Sequence, residues 1–241
     1  MVAPETNPSL PRLTLLAPQG AEYRAVRRGA DPAWRVLAMP LGGRGLPQWW
    51  AVHQGELAGK GAVLLGLAGG SQPKWRVGDG VICQSCTDAV SGATRPYDPE
   101  MTQWLTQRLG LPVVRGVTVP QIVTQPQEKQ TLGQTFDTAV VEMEGYPLLA
   151  YLPRLGMVRV VSDGMHQVLP DLGAAVDEAT GALHPLPLAW AMLKQPQAAL
   201  ALIQGARIGL QQLTVLAQQL TGNSEKKYNE NSITDVSGIQ M

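Results

Sequence analysis

Three acids of this chain stand where runs of apolar residues end, and acids so placed can move protons. Glu22 follows the run 13–16 and the turn Pro18-Gln19-Gly20. Glu144 closes Glu142-Met143-Glu144 behind Ala139-Val140-Val141. Asp163, in Ser162-Asp163, follows Met157-Val158-Arg159-Val160-Val161. If those runs are strands of an open α/β sheet, ligands gather at their carboxyl ends, and Leu67-Ala68-Gly69-Gly70 ends a fourth run. Carboxyls around one apolar pocket can be driven apart in pKa, so that one holds a proton to donate while another stays ionised. The same residue types also serve as helix caps and first-turn acids, so the pattern alone leaves both readings open.

No set of metal ligands accompanies the acids, and no cofactor is expected. Cys83-Gln84-Ser85-Cys86 has the spacing of a redox or zinc pair. Zinc would need two more ligands from His53, His166 and His184, all distant in sequence, so ordinary cysteines at a strand end are the preferred reading. His166 reads as a surface-loop residue. Trp49-Trp50 fits a buried helix face, a greasy channel or an oligomer contact.

The elements that must position these residues follow from periodicity and punctuation. Short apolar runs bounded by turn residues predict strands at 13–16, 34–39, 61–67, from 81, within 113–123 (one or two, split by Pro120), at 139–141 and at 157–161. Helical spacing predicts helices at 22–28, 47–57, 100–109, 128–136 and 145–152. The longest covers 196–220, with proline at its start. Strands alternating with helices imply an α/β sheet with helices on both faces. Residues 1–11, with three prolines, read as an N-terminal arm, and 12–220 as one domain. The polar segment 221–241 reads as a disordered tail.

Composition excludes several classes. The 19 basic and 19 acidic residues cancel, against nucleic acid as a partner. A hydrophobic content of 44% excludes global disorder, and two cysteines make no disulfide framework. No basic start with an apolar run opens the chain and no stretch reaches a membrane-spanning length. The expectation is a cytoplasmic globular protein.

Read together, the segments resemble a known family. Val141-Glu142-Met143-Glu144-Gly145, with Ser162-Asp163 beginning eighteen residues after Glu144, is similar to the signature of the nucleoside phosphorylase superfamily. Leu65-Gly66-Leu67-Ala68-Gly69-Gly70 with Val77-Gly78-Asp79 resembles its glycine motif. The opening LTLLAPQGAE resembles methylthioadenosine/adenosylhomocysteine nucleosidases and puts Glu22 at their water-activating glutamate. VRVVSDGMHQVLPDL resembles the hopanoid-associated branch, whose members are similar to nucleosidases acting on adenosylhopane. The resemblance covers about 12–220. It implies a three-layer αβα architecture around a central mixed, partly barrel-like sheet, phosphorylase/hydrolase-like, in a homo-oligomer of two or more chains.

It also implies dissociative cleavage of a purine nucleoside. A protonated Asp163 would donate toward N7 of the leaving base, and Glu22 would deprotonate the attacking water. Glu144 would hold the ribose hydroxyls and Met143 would pack on the sugar. Glu142, Gly69, Gly70, Ser162 and Ile122 would line the substrate site, with Glu142 less direct than Glu144. Phosphorylases of this kind often carry an arginine and a serine where this chain has Leu64 and Leu67. Phosphate needs charge-matched donors, so water is the expected nucleophile, with Arg24, Arg27, Arg28 and Arg44 as substitutes if phosphate is used. The stretch that holds a base-stacking phenylalanine in such nucleosidases is Gln121-Ile122-Val123 here, and Phe136 lies elsewhere, so the base would rest on aliphatic contacts. The alternatives are a phosphorylase and a non-catalytic ligand-binding member of the same fold.

Overall fold

The computed structural model describes residues 13–171, 190 and 192–222. The arm 1–11, all but the first two residues of the tail 221–241, and His184 lie outside the described residues. Fourteen elements follow in the order β1 (Thr14–Pro18), α1 (Ala21–Gly29), β2 (Arg35–Met39), α2 (Leu46–Leu57), β3 (Ala62–Gly70), β4 (Gly80–Asp88), β5 (Thr94–Pro96), α3 (Pro99–Leu109), β6 (Val113–Thr118), α4 (Pro126–Phe136), β7 (Val140–Glu142), α5 (Gly145–Leu148), β8 (Leu155–Asp163) and α6 (Pro196–Thr221).

The eight strands form one mixed sheet, ordered β2-β1-β3-β7-β6-β4-β5, and β8 pairs with both β3 and β4. That double pairing closes β3, β8, β4, β6 and β7 into a five-stranded, barrel-like ring, with β1 and β2 extending from β3 and β5 from β4. β8 is parallel to β3 and antiparallel to β4. It is buried over all nine residues, which explains why 157–161 reads as an apolar run broken only by Arg159.

Alternation along the strands sorts the core. Val63, Leu65, Val158 and Val160 pack with α1, α3 and α6, while Ala62, Leu64, Met157 and Val161 face the side packed by α2 and α5. Helices therefore cover both faces, as the alternation of elements predicts. Arg159 falls in the second register with Met157 and Val161, and the register shifts before Asp163, which pairs with Gly69.

Local chemistry explains the helix ends. α3 starts on Asp98, whose side chain accepts the Met101 N–H at 3.0 Å, and stops at Gly110 in the left-handed region. α1 carries Glu22 in its first turn and Arg27 and Arg28 in its last, the order the helix dipole favours. α6 reaches the end of β8 because Gly205 and Gly209 share one of its faces. A Cβ on Gly205 would overlap the Ser162 carbonyl oxygen, and one on Gly209 would stand 2.7 Å from Leu67 Cδ2.

Of the one or two strands expected within 113–123 the structure has one, β6. Two expectations need correction. The helix expected to reach 152 ends at Leu148 and continues as a turn, with the Leu152 N–H bonded to the Leu148 carbonyl at 3.0 Å. β5 was not expected: its three residues are all exposed and paired to β4 alone, so they carry no apolar signal. Among the described residues, no helix is long and apolar enough to cross a membrane.

Candidate active site

The carboxyl ends of β3, β7 and β8 and the start of α1 meet around a cavity of about 360 Å³. Glu22, Gly69, Ile122, Glu142, Met143, Glu144, Ser162 and Asp163 all line it. Gly70 does not. A Cβ on Gly70 would meet Trp75 and Val161 at 3.5 Å, whereas one on Gly69 would meet the Asp163 carboxyl group.

One end of the cavity is built on Arg159, which is fully buried. Its Nη2 donates to Glu142 Oε2 at 2.5 Å and to Glu144 Oε2 at 2.8 Å. Nε and Nη1 make no hydrogen bond among the described residues. In the β3–β8 register Gly66 lies opposite Arg159. A side chain there would overlap Nη1 and stand 3.0 Å from Glu22 Oε1. The first glycine of the glycine motif thus makes room for the guanidinium.

The two glutamates flanking Met143 do different work. Glu142 spends both oxygens inside the protein: Oε2 accepts from the N–H groups of Glu144 at 3.0 Å and Gly145 at 2.7 Å as well as from Arg159. Its Oε1 accepts from the Thr118 hydroxyl and from the Cys86 thiol at 3.4 Å. Glu142 lines the cavity, and its hydrogen bonds also shape the turn that carries Glu144. Glu144 is held by fewer groups, the Gly42 N–H at 2.9 Å and Arg159. Gly42 belongs to the glycine-rich loop after β2, with φ at +71°. Burial pushes the Glu144 carboxyl up, Arg159 draws it down, and Glu142 pushes it up again.

Glu22 is half-buried, and its Oε1 accepts the Leu67 N–H at 2.6 Å. Desolvation and then the like charge of Glu144 raise its pKa to about 7, against the pull of the Leu67 N–H and Arg159. It is both the first-turn acid of α1 and a group poised to exchange a proton near neutrality.

The other end holds Asp163. Its Oδ1 accepts the Ser162 hydroxyl at 2.8 Å and its Oδ2 is ion-paired with Lys129 of α4. Gly69, opposite Asp163 in the register, would place a Cβ 3.0 Å from Oδ2. The segment 119–124 lies beside this end, since the Thr124 carbonyl accepts the Leu169 N–H at 3.0 Å. Gln121, Ile122 and Val123 line the wall, and Phe136, outside the lining, packs against the cluster of Val117, Val119, Val123 and Val141. The remaining wall is apolar: Leu41, Leu67, Leu169, Met192, Leu202, Ile203 and Ala206.

Arg159 and Lys129 are the functional residues that the motifs do not single out. An arginine inside a β-branched run was a usable signal, since a charge in a buried strand needs partners. Lys129 gave none, because it stands among the polar residues of a helix whose apolar residues are Leu132 and Phe136.

The remaining candidates fall elsewhere. Cys83 and Cys86 are free and buried, and burial followed by the nearby Glu142 pushes the Cys83 thiol up to about 12, far from a reactive thiolate. No cluster of three metal-ligating residues occurs among the described residues. His166 is exposed, and His53 bonds the Trp49 carbonyl at 2.8 Å. Trp49 and Trp50 are half-buried against the core. Arg24, Arg27, Arg28 and Arg44 do not line the cavity.

Comparison with known proteins places this geometry in context. A family model described as the phosphorylase superfamily matches residues 50–180. No curated protein matches the sequence. Among solved structures, a futalosine hydrolase of Helicobacter pylori superposes with a TM-score of 0.63 at 11% identity, covering 89% of this chain and 98% of that one. The 5'-methylthioadenosine/S-adenosylhomocysteine nucleosidase of Neisseria meningitidis, in complex with methylthio-immucillin-A, gives 0.64 at 13% identity, over 88% and 98%. A Helicobacter pylori nucleosidase of the same kind, bound to an inhibitor, gives 0.62 at 12%, over 89% and 99%. At these identities the likeness is one of fold.

Proposed function

The chain belongs to the phosphorylase superfamily, and we propose that it hydrolyses the N-glycosidic bond of a purine nucleoside whose ribose carries an apolar 5′ substituent. The observation that carries this reading is the convergence of Glu22, Glu144 and Asp163 on one cavity, each fixed by partners of its own.

As the base departs, the ribose gains oxocarbenium character, and both fragments need stabilising. Glu144, oriented by Arg159 and the Gly42 N–H, accepts from the ribose hydroxyls, where a charged acceptor makes a strong hydrogen bond. Met143 packs against the sugar. Glu22, with its pKa near 7, takes the proton of the attacking water. Asp163 hands a proton to the leaving base. The layout parallels glycoside hydrolysis, with a donor on one side and an activated water on the other.

Water is favoured over phosphate by the charge of the cavity. Lys129 is the only cation lining it among the described residues, and it is committed to Asp163. Leucine at position 67 lines the wall where a polar donor would be wanted. The run of Leu41, Leu169, Met192, Leu202 and Ile203 supports an apolar 5′ group, of the kind an adenosylhopane-like lipid would carry.

The test is incubation with methylthioadenosine, adenosylhomocysteine and an adenosylated lipid, with and without phosphate. Free base released without phosphate is the expected result, with the lipid-tailed substrate preferred. A strict phosphate requirement would assign phosphorolysis instead. No turnover of any substrate, with Asp163→Asn binding ligand as well as the parent, would make the chain a binding protein.

A further inference from the structure

Lys129 is buried at 1% exposure on a helix whose other polar residues face outward. Gly133 shares its face one turn later, and a Cβ there would overlap the Ser71 carbonyl oxygen. That glycine lets α4 lie against the end of β3, and the shared face carries the ammonium into the cavity wall. Besides Asp163, the carbonyl oxygens of Gln167 and Gly164 accept from Lys129 Nζ at 3.3 and 3.5 Å. Gly69 leaves space for both members of the pair: a Cβ there would also stand 3.7 Å from Lys129 Cε.

Burying an ammonium costs several kcal/mol unless its partners compensate, and an apolar residue of similar volume fills a wall as well. Here three acceptors are arranged around the nitrogen. The second oxygen of Asp163 already accepts from Ser162. Lys129 Nζ is the donor in all three of its hydrogen bonds, one of them to Asp163.

We propose that Lys129 supplies the proton that the leaving base takes, passed through Asp163. The inference rests on the nucleosidase reading and names the origin of the proton that reading requires. As the C1′–N bond breaks, its electron pair departs with the base. A proton moves from Lys129 Nζ to Asp163 Oδ2 and on to the base nitrogen, leaving a neutral amine beside the carboxylate. The water oxygen bonds to C1′ and gives its proton to Glu22. After release of products, Glu22 returns its proton to solvent and Lys129 takes one up, so the cycle consumes one water and nothing else. Lys129 acts through Asp163 and is a positioning residue; Asp163 is the group that meets the base.

The experiment measures kcat/KM along a series of purine nucleosides sharing one 5′ group, from adenine to 2,6-dichloropurine, whose ring carries the departing charge unaided. Lys129→Met removes the proton. Lys129→Arg keeps the positive charge, but a guanidinium does not give its proton up. Both variants should lose about 10²–10⁴-fold on the adenine nucleoside and no more than about threefold on the dichloropurine, the range of general-acid catalysis being confined to the poor leaving group. The wild type should depend only weakly on the leaving base. Thermal melts establish folding, and the Arg variant, which retains the ion pair, decides the matter if Lys129→Met does not fold. An equal fall across the series means a structural role and overturns the proposal. Full activity of Lys129→Arg means that charge alone suffices, and overturns it too. A wild type that cleaves none of the series overturns the nucleosidase reading itself, which a selective change in the variants could not do.

Discussion

At one end of the cavity three carboxylates, Glu22, Glu142 and Glu144, surround a single guanidinium; at the other, one carboxylate meets one ammonium. The first end holds three carboxylates to one cation, and burial first, with the like charge of a neighbouring glutamate added, raises the carboxyl pKa values of Glu22 and Glu144. The second end is balanced one to one. Charge balance therefore differs across a few side chains of the same types. In the proposed mechanism the end with three carboxylates takes the proton of water, and the end with the ion pair serves the leaving base. The two are held in register by one pair of strands, with Gly66 clearing Arg159 and Gly69 clearing Asp163 and Lys129.

The largest effect should come from removing the cation of the crowded end. Arg159→Met strands Glu142 and Glu144 in a buried site, which costs about 3–5 kcal/mol when a buried pair is broken. Urea unfolding should show that loss, and a smaller one for Lys129→Met, which strands a single carboxylate at the cavity wall. Equal losses would break the contrast between the ends.

Next comes the base. Glu22→Gln keeps the Leu67 hydrogen bond but cannot take a proton, so kcat should fall by about 10²–10⁴-fold with little change in substrate binding. In the wild type, activity should rise with pH through about 7 as Glu22 ionises. The variant should lack that limb. A variant that keeps it would move the titration to another group.

The contrast also marks how far the sequence could be read. Glu22, Glu144 and Asp163 were legible because motif spacing and strand ends both point to them, and the central strands were legible from their apolar runs. What escaped was the counter-charge. Arg159 stands in a β-branched run whose pattern announces a strand, and its charge signals a need for partners without naming them. Lys129 looks like any surface lysine on a polar helix, and only the approach permitted by Gly133 buries it. Glu142 and Glu144 are the same residue two positions apart. Nothing in their order tells that the first is consumed by the N–H groups of its own turn.

A smaller effect concerns stability. The folded-state pKa of Glu22 is raised from 4.5 to about 7, so its contribution to stability is fully present below 4.5 and is lost as pH rises through about 7. Above that range the ionised carboxylate is a cost that Glu22→Gln removes. Discounted for the partial exposure of the side chain, the gain should be about 1–2 kcal/mol at pH 8 and near zero at pH 4. Thermal melts at both values check it. A gain of the same size at pH 4 would place its origin in packing and not in the crowding of charge.

The smallest effect tests which end takes the base. Ile122 lines the cavity on the segment joined to the Asp163 end through Thr124 and Leu169, and no aromatic ring lines the described wall there. If the purine lies against that wall, Ile122→Phe adds a stacking face worth about 0.5–1.5 kcal/mol, a several-fold fall in KM with kcat little changed. The ribose end should not register the change, so affinity for a free ribose analogue should stay constant while affinity for free adenine rises. Tighter binding of the ribose analogue alone would reverse the assignment, putting the sugar beside Asp163 and the base beside Glu144. The balanced pair could then no longer serve the leaving group, whatever its charge.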